Sequence, residues 1–533
     1  MKRYSNTFIS ILGALLLWAA WPVSPFTFLI FIAWVPLLWV EDHISSWKKM
    51  WAVTYLHMFL WNILVTWWVW NASLPGALGA FFANSLLMCV PWLLFYYTKR
   101  KFGRWIGYAS LIVFWITFEY IHHNWELSWP WLTLGNAFAT QPQWVQWYQY
   151  TGTSGGSLWV LSANIIAHQI FTAFRAGGRS KQYYINLATW IALIVMPVAL
   201  SYIIAGREKN IAVAAFKTAT KNIVVVQPNI DPYEEKFNTD PAIQIQKLIK
   251  LSEEKIDSNT AMVVWPETAI PVQAWENELK QNPYYQPVFA FLKRHPAMSL
   301  LTGIDSYKSY GPLRENASAT ARRSPAGKIY YDAFNTAAFI NPDTSIELYH
   351  KAKLVPGVES LPSFLNFIGD WFEDFGGISG SLGRDTVRKV FVAKDHYYKA
   401  APIICYESIY GAFITEYLRN GANLLVIITN DGWWDDTPGY KQHMNYARLR
   451  AIETRKWIAR SANTGISCFI DPMGNVIDPQ PWNKATAIRM PIPVSTEETF
   501  YVQHGDMLSK AMCVIAALLI AAIIVSWVKR KFF

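Results

Sequence analysis

The sequence predicts an α-helical transmembrane bundle of about eight spans joined to a separate α/β domain, and three observations carry that prediction. The 533 residues are 53% hydrophobic and 16% aromatic but only 16% charged, against about 25% charged in soluble domains. Runs of about 20 apolar residues, long enough to cross a bilayer, gather at the two ends of the chain. Between them, short Val- and Ile-rich runs alternate with helical stretches, the pattern of a layered α/β domain. A soluble globular enzyme and a disordered chain are both excluded by this composition.

The candidate spans fall near residues 8–22, 26–40, 51–70, 77–97, 106–121, 155–174, 185–205 and 509–528. Pro22, Ser24 and Pro25 separate the first two, which are short and form either a tight helical hairpin or one broken segment. Lys2 and Arg3 ahead of an apolar run resemble a signal peptide, but the cleavage pattern is poor and more spans follow, so an uncleaved first helix is expected. The 28 Trp are expected to anchor at the lipid interface. The resulting division is a seven-span bundle over 1–205, an α/β domain over 206–505, and a last membrane helix with its tail over 506–533.

A net charge of +10 suggests a nucleic-acid partner until it is divided along the chain. Lys2, Arg3, Lys48, Lys49, Lys99, Arg100, Lys101, Arg104, Arg175, Arg179, Lys181, Lys529, Arg530 and Lys531 lie on one set of loops, with only Glu41 and Asp42 against them. The loops 71–76 and 122–154 carry no Lys or Arg. The positive-inside rule therefore puts both termini in the cytoplasm and 206–505 outside. That domain holds 32 basic and 32 acidic residues, so no nucleic-acid partner is expected. The four Cys form neither a disulfide framework nor a zinc spacing.

Expected strands lie at 222–227, 261–265, 299–304, 334–340, 400–405, 423–429 and 466–470, with helices at 241–257, 409–420 and 440–459. Three strand ends carry reactive residue types. Glu267 follows Met262-Val263-Val264-Trp265-Pro266, where desolvation would raise its pKa towards that of a general base; otherwise it is a turn residue facing water. Cys405 ends Ile403-Ile404-Cys405 just before a helix, whose N-terminus would lower the thiol pKa; otherwise it is a core cysteine. In Tyr349-His350-Lys351-Ala352-Lys353, either lysine could hold an oxyanion, and spacing does not separate them from each other or from surface lysines.

The order decides more than the parts. Glu267, then Lys351 84 residues on, then Cys405 54 residues further, resembles the Glu-Lys-Cys triad of the nitrilase superfamily. With spans before and after, the chain resembles that superfamily's membrane-embedded branch, the apolipoprotein N-acyltransferases. The likeness includes Phe118-Glu119-Tyr120, Pro130-Trp131-Leu132, Val226-Gln227-Pro228-Asn229-Ile230, Asn430-Asp431-Gly432-Trp433, His443, Ala447-Arg448, Arg450-Ala451, Arg460-Ser461 and Asn463-Thr464-Gly465.

The resemblance implies an αββα sandwich for 206–505, with Cys405 as nucleophile, Glu267 as general base and Lys351 as the cation at the tetrahedral intermediate. It implies an assisting Glu359, a Glu407 two residues after the nucleophile, and Tyr406 and Trp433 as pocket-shaping residues. It also implies a phospholipid acyl donor, phosphatidylethanolamine in particular, a diacylated apolipoprotein acceptor, no cofactor, and a place in the bacterial inner membrane with the catalytic domain on the periplasmic side. The chain departs from the family at Leu354-Val355-Pro356-Gly357-Val358-Glu359, where LVPFGE is usual, at Phe237, where Trp is common, and at His122, where Arg often follows the membrane Glu.

Some features carry two readings. Trp371, Phe372, Phe375, Trp433 and Trp434 form either packed loops or a mobile lid that admits lipid tails. Glu119 in its span is either a substrate-binding group or a structural hydrogen-bonding group. His443 lacks a second ligand at i+4, and the Gly-rich 151–156 lacks the Lys of a phosphate loop, so no metal and no nucleotide are expected. The competing functions are a membrane-tethered amidase with the same triad and, from another class, a transporter or receptor with an outside binding domain.

Overall fold

Among the described residues, four helices are long and apolar enough to cross a membrane: Leu74–Phe102, Tyr148–Arg175, Lys181–Ile211 and Met507–Lys529. The computed structural model describes residues 2–178, 180–215, 220–236, 238–324, 327–364 and 381–532. Phe237, Trp371, Phe372 and Phe375 therefore lie outside the described residues. The chain divides into two units, one made of 1–67, 76–205 and 504–533, the other of 68–75 and 206–503.

In the helical unit, Lys2–Ala20, Trp47–Thr66 and Arg104–His123 are 19, 20 and 20 residues long. The second expected span, 26–40, is not a membrane-length helix. A 3-10 turn, Thr27–Phe31, precedes a nine-residue helix, Val35–His43, which rises only about 14 Å of the roughly 30 Å needed. Proline is the cause. Pro22 and Pro25 flank a turn in which Val23 takes φ 61°, and Pro36 fits only in the first turn of the short helix, where its missing N–H costs nothing.

Tryptophan fills the interior of this unit as well as its surface. Trp34 stacks on Trp92 at 5.3 Å and meets Trp115 edge-on at 4.7 Å, while Trp21 meets Trp61 at 5.3 Å; all five are fully buried. Aromatic content therefore reflects packing within the bundle in addition to the expected lipid-interface anchoring. Glu119 is likewise interior, its Oε1 accepting from Trp115 Nε1 (3.0 Å) and Leu134 N (2.8 Å), which ties its helix to the following loop.

The second unit is built on two sheets. Its strands are β1 (Lys221–Gln227), β2 (Thr260–Val264), β3 (Ile270–Trp275), β4 (Ser299–Gly311), β5 (Arg322–Arg323), β6 (Tyr330–Ile340) and β7 (Ile346–His350). They continue with β8 (Phe391–Val392), β9 (Lys399–Ile404), β10 (Leu424–Thr429), β11 (Ile458–Ala462), β12 (Cys468–Ile470), β13 (Val476–Ile477) and β14 (Thr486–Ile492). One sheet runs β14-β1-β2-β4-β6-β5, with β3 on β4 and β7 on β6; the other runs β13-β12-β11-β10-β9-β8.

β1, β2 and β4 are mutually parallel, as are β9, β10 and β11. Strands buried on both faces need continuous apolar runs, and β2 and β10 are buried along their whole length. Outside the first sheet, Ile245, Leu248, Val288, Phe291 and Leu292 of two helices pack on Val224, Val226, Val263 and Leu300. Between the sheets, Ser461 Oγ of β11 donates to Val226 O of β1 at 2.7 Å. The result is a helix-sheet-sheet-helix sandwich, with the ends of its parallel strands directed at one region.

One close approach fixes the turn after β2. A Cβ on Gly303 would collide with the backbone of Glu267 and Thr268. Gly303→Ala is therefore expected to destabilise the unit by about 1–3 kcal/mol, read as a lower unfolding midpoint of the full chain; an unchanged midpoint would mean that the turn is free to shift.

Candidate active site

Three strand ends deliver the reactive groups. Glu267 follows β2, Lys351 directly follows β7, and Cys405 directly follows β9. Thr268 and Cys405 adopt φ 46° and 50°, the left-handed region that residues with a Cβ enter only when the surroundings impose it. Each chain turns sharply there, so Glu267 and Cys405 leave their strands into the same buried space.

Lys351 is 1% exposed. Its Nζ donates to Glu267 Oε1 (3.2 Å) and Glu359 Oε1 (2.8 Å). Asn335 Nδ2 bridges the same two oxygens at 2.7 and 3.0 Å, while Glu267 Oε2 accepts from the backbone N of Asn430 (3.0 Å). Burial alone would raise the Glu267 pKa, but the Lys351 charge and the hydrogen bonds from Asn335 and Lys351 hold it below the usual carboxylate value. This reverses the expectation of a raised pKa. Burial would likewise neutralise Lys351, and the carboxylates of Glu267 and Glu359 hold it firmly protonated.

Cys405 differs from expectation too. Residues Cys405–Ile409 form a 3-10 turn, and the α-helix begins only at Gly411. Burial, then the Glu267 charge, push the thiol pKa well above its ordinary value, against the opposing pull of Lys351 and a hydrogen bond with Thr429. The site at rest thus holds a carboxylate, an ammonium and a neutral thiol. Glu267 is the acceptor of the thiol proton that this arrangement offers.

Glu407, fully buried, joins the two loops. Its Oε1 accepts from the Tyr349 hydroxyl and Ala352 N, both at 2.7 Å, and its Oε2 from Ile404 N at 2.9 Å. The Lys351 loop and the Cys405 turn are therefore held by one side chain. In the departing segment, Gly357 takes φ 79° and Val355 N donates to Glu359 Oε2 at 2.9 Å, so the shifted glycine still brings Glu359 to Lys351.

Residues 222–499 match the carbon-nitrogen hydrolase family, and residues 13–166 match the apolipoprotein N-acyltransferase N-terminal domain. The chain is 30% identical over 524 residues to the apolipoprotein N-acyltransferase of Chlorobaculum tepidum, covering 96% of this chain and 95% of that one. The chain belongs to the apolipoprotein N-acyltransferase family. It is also 27% identical to apolipoprotein N-acyltransferase 2 of Treponema denticola, over 78% of this chain and 76% of that one. With the Geobacter metallireducens apolipoprotein N-acyltransferase it shares 26% identity over 82% and 78% of the two chains.

This family member brings further groups to the site, some of them, such as Lys236 and Asp305, not singled out in the sequence. Lys236, 5% exposed, donates to Thr268 Oγ1 and lies 6.0 Å from the Trp433 ring. Burial lowers its pKa, while Asp305 and Glu267 raise it; burial in turn pushes Asp305 up to about 6. Behind Cys405, whose carbonyl accepts from Ser408 Oγ (2.8 Å), His443 joins Ser408 Oγ to Asp431 Oδ1, each at 2.9 Å, and Arg460 Nη2 donates to Asp431 Oδ2 at 2.8 Å. Among the described residues no group of three or more His, Cys, Asp or Glu is arranged to hold a metal ion.

The Trp433-Trp434 loop is tied down. Trp434 packs on Trp68 at 4.9 Å and accepts at its carbonyl from Asn71 Nδ2 (3.2 Å), and the Tyr233 hydroxyl reaches Trp433 O at 3.0 Å. A cavity of about 650 Å³ lies beside it, lined by Asp231, Tyr233, Gly432, Asp435 and Trp482 among others; Glu267, Lys351 and Cys405 are not in its wall. Tyr406 is buried and packs on Tyr410 at 5.3 Å.

His350, next to Lys351, bridges Glu276 Oε1 (2.7 Å) and Asp385 Oδ1 (3.0 Å). Burial opposes its charge, but these two carboxylates raise its pKa above 6.5. The stabilisation is therefore complete below pH 6.5 and is lost as pH rises through the folded value. The unfolding temperature of the parent should fall with pH above 6.5 more steeply than that of His350→Asn; parallel curves would show that His350 does not titrate.

Proposed function

We propose that the chain transfers an acyl group from a phospholipid to the N-terminal α-amine of a diacylglyceryl-modified cysteine in apolipoproteins, through a thioester on Cys405. The observation that carries this reading is the shared ammonium of Lys351, placed between Glu267 and Glu359 and acting electrostatically on the Cys405 thiol. It supplies a base, a nucleophile and a cation in one buried site, as acyl transfer requires.

In the first half-reaction the Glu267 carboxylate takes the thiol proton as Sγ bonds to the ester carbonyl carbon. The displaced electron pair rests on the carbonyl oxygen, facing Lys351 and the backbone N–H groups after Cys405. Collapse breaks the ester C–O bond, and Glu267 returns the proton to the leaving lysophospholipid oxygen. In the second half the α-amine attacks the thioester, Glu267 accepts an amine proton, and Cys405 leaves and is reprotonated. The cycle is ping-pong, and burial keeps water from the thioester.

Glu359 is a second counter-ion that keeps Lys351 in place, and Glu407 and Tyr406 hold and flank the nucleophile turn. Phosphatidylethanolamine is the donor in this proposal, drawn from the family resemblance. The proposed setting is the bacterial inner membrane, with residues 206–505 on the periplasmic side, a reading that the distribution of Lys and Arg supports. Trp433 and Trp434 bound the substrate site in this proposal, with Trp371 assigned to it from its aromatic loop and Phe237 by resemblance alone. Glu119, held within the helical unit, takes a structural part. The match of residues 13–166 to the acyltransferase N-terminal domain favours acyl transfer over a tethered amidase.

Incubation of the purified chain with labelled phosphatidylethanolamine should leave one acyl group on the peptide containing Cys405, and addition of a diacylated lipopeptide should discharge it. Cys405→Ala should abolish the adduct, and Glu267→Gln and Lys351→Met should lower its rate of formation by about 100-fold or more. An adduct that persists in Cys405→Ala would sink the mechanism. Ammonia release from simple amides without lipopeptide acylation would establish the amidase instead.

A further inference from the structure

The strand after the nucleophile carries a polar group that the reaction above leaves unused. Asn430 follows β10, whose Ile428 pairs with Ile404 of β9, so Thr429 stands beside Cys405 and Asn430 one residue beyond. Its side chain is oriented by the backbone. Asn463 Oδ1 accepts from Ile230 N (3.2 Å) and its Nδ2 donates to Ile230 O (2.7 Å), so the Asn463 amide has one orientation only. Asn463 Nδ2 also reaches Asn430 Oδ1 at 3.1 Å. The Asn430 Nδ2 group therefore points the other way, and among the described residues it has no acceptor, although the residue is 2% exposed. A buried donor left unpaired destabilises a fold, and one kept beside a reactive site is accounted for when a ligand supplies its acceptor.

The oxygens of Glu267 indicate which ligand atom that is. Oε1 accepts from both Asn335 and Lys351, whereas among the described residues Oε2 accepts only from the backbone N of Asn430. The lone pair free to carry a proton is thus on Oε2, on the Asn430 side, away from the cation that holds the oxyanion. A proton delivered from Oε2 goes to the oxygen that departs when the ester C–O bond breaks.

We propose that Asn430 Nδ2 donates a hydrogen bond to the leaving glycerol oxygen of the acyl donor as its C–O bond breaks, making Asn430 a catalytic residue of the acylation step. The proposal rests on the acyl-enzyme reading of Cys405 and Glu267. It treats the two half-reactions unequally. The incoming amine uses its lone pair to attack carbon and offers Asn430 no acceptor, so discharge of the thioester does not draw on this bond.

The test compares leaving groups on the full chain in detergent, with Asn430→Ala and Asn430→Ser, the serine keeping a shorter donor. Single-turnover acylation of Cys405 is measured with phosphatidylethanolamine and with the p-nitrophenyl ester of the same acyl chain, whose weakly basic leaving group needs no hydrogen bond. Asn430→Ala should slow acylation by the phospholipid on the order of 10- to 100-fold, and by the nitrophenyl ester less than about 3-fold. Asn430→Ser should fall between parent and Asn430→Ala with the phospholipid, and lipopeptide discharge of preformed thioester should match the parent. Equal losses with both esters, or no loss with the phospholipid, would overturn the proposal while leaving the acyl-enzyme intact. A parent chain that forms no Cys405 adduct with either ester would overturn the underlying reading, and this proposal with it.

Discussion

A single buried ammonium organises the candidate site. Lys351 Nζ lies between two carboxylates on different loops, and Asn335 doubles the bridge between them. Taking three charges out of water costs several kcal/mol per ion before any attraction is counted. The arrangement persists because the second oxygen of each carboxylate is also hydrogen-bonded, Glu267 Oε2 by Asn430 N and Glu359 Oε2 by Val355 N. Removing any one member would leave the others charged and unmatched in the interior. The sharp turns at Thr268 and Cys405, the glycine at 303 and the Glu407 bridge all serve to keep this ion cluster where the thiol can use it.

The electrostatics separate storage from action. With Glu267 held ionised and the thiol held neutral, the resting site contains a base that is ready and a nucleophile that is not. Proton transfer between them is uphill until a carbonyl carbon begins to take electron density from sulfur, so ionisation and attack proceed together in the proposed reaction. The buried Asp431, His443 and Arg460 assembly plays a different part: through Ser408 it grips the carbonyl of Cys405 itself, fixing the backbone from which the thiol projects.

Much of this was legible in the sequence for a specific reason. Strands buried on both faces must be apolar throughout, so Glu267 and Cys405 are conspicuous where such runs end, and apolar runs of about 20 residues marked out the candidate membrane helices. What stayed hidden depends on tertiary contact. Asn335 lies inside the apolar run of β6, where a lone amide was the available signal, and Lys236 and Asn430 gain meaning only once β2, β7, β9 and β10 converge. Strands β7 and β11 escaped notice because His350, Arg460 and Ser461 break their apolar pattern while making buried polar contacts. The raised thiol pKa was also not deducible, since a helix terminus is a local feature and desolvation is a global one. In the helical unit, prolines outweighed hydropathy over 26–40.

The neutrality of the resting thiol has a consequence for durability. Peroxides and disulfides react with thiolates, and the ladder from sulfenic to sulfonic acid starts there. A lone cysteine with no partner to protect it is a liability in any oxidising compartment. By withholding ionisation until a substrate is in place, the burial of Cys405 makes it a poor target for oxidants while the site is empty.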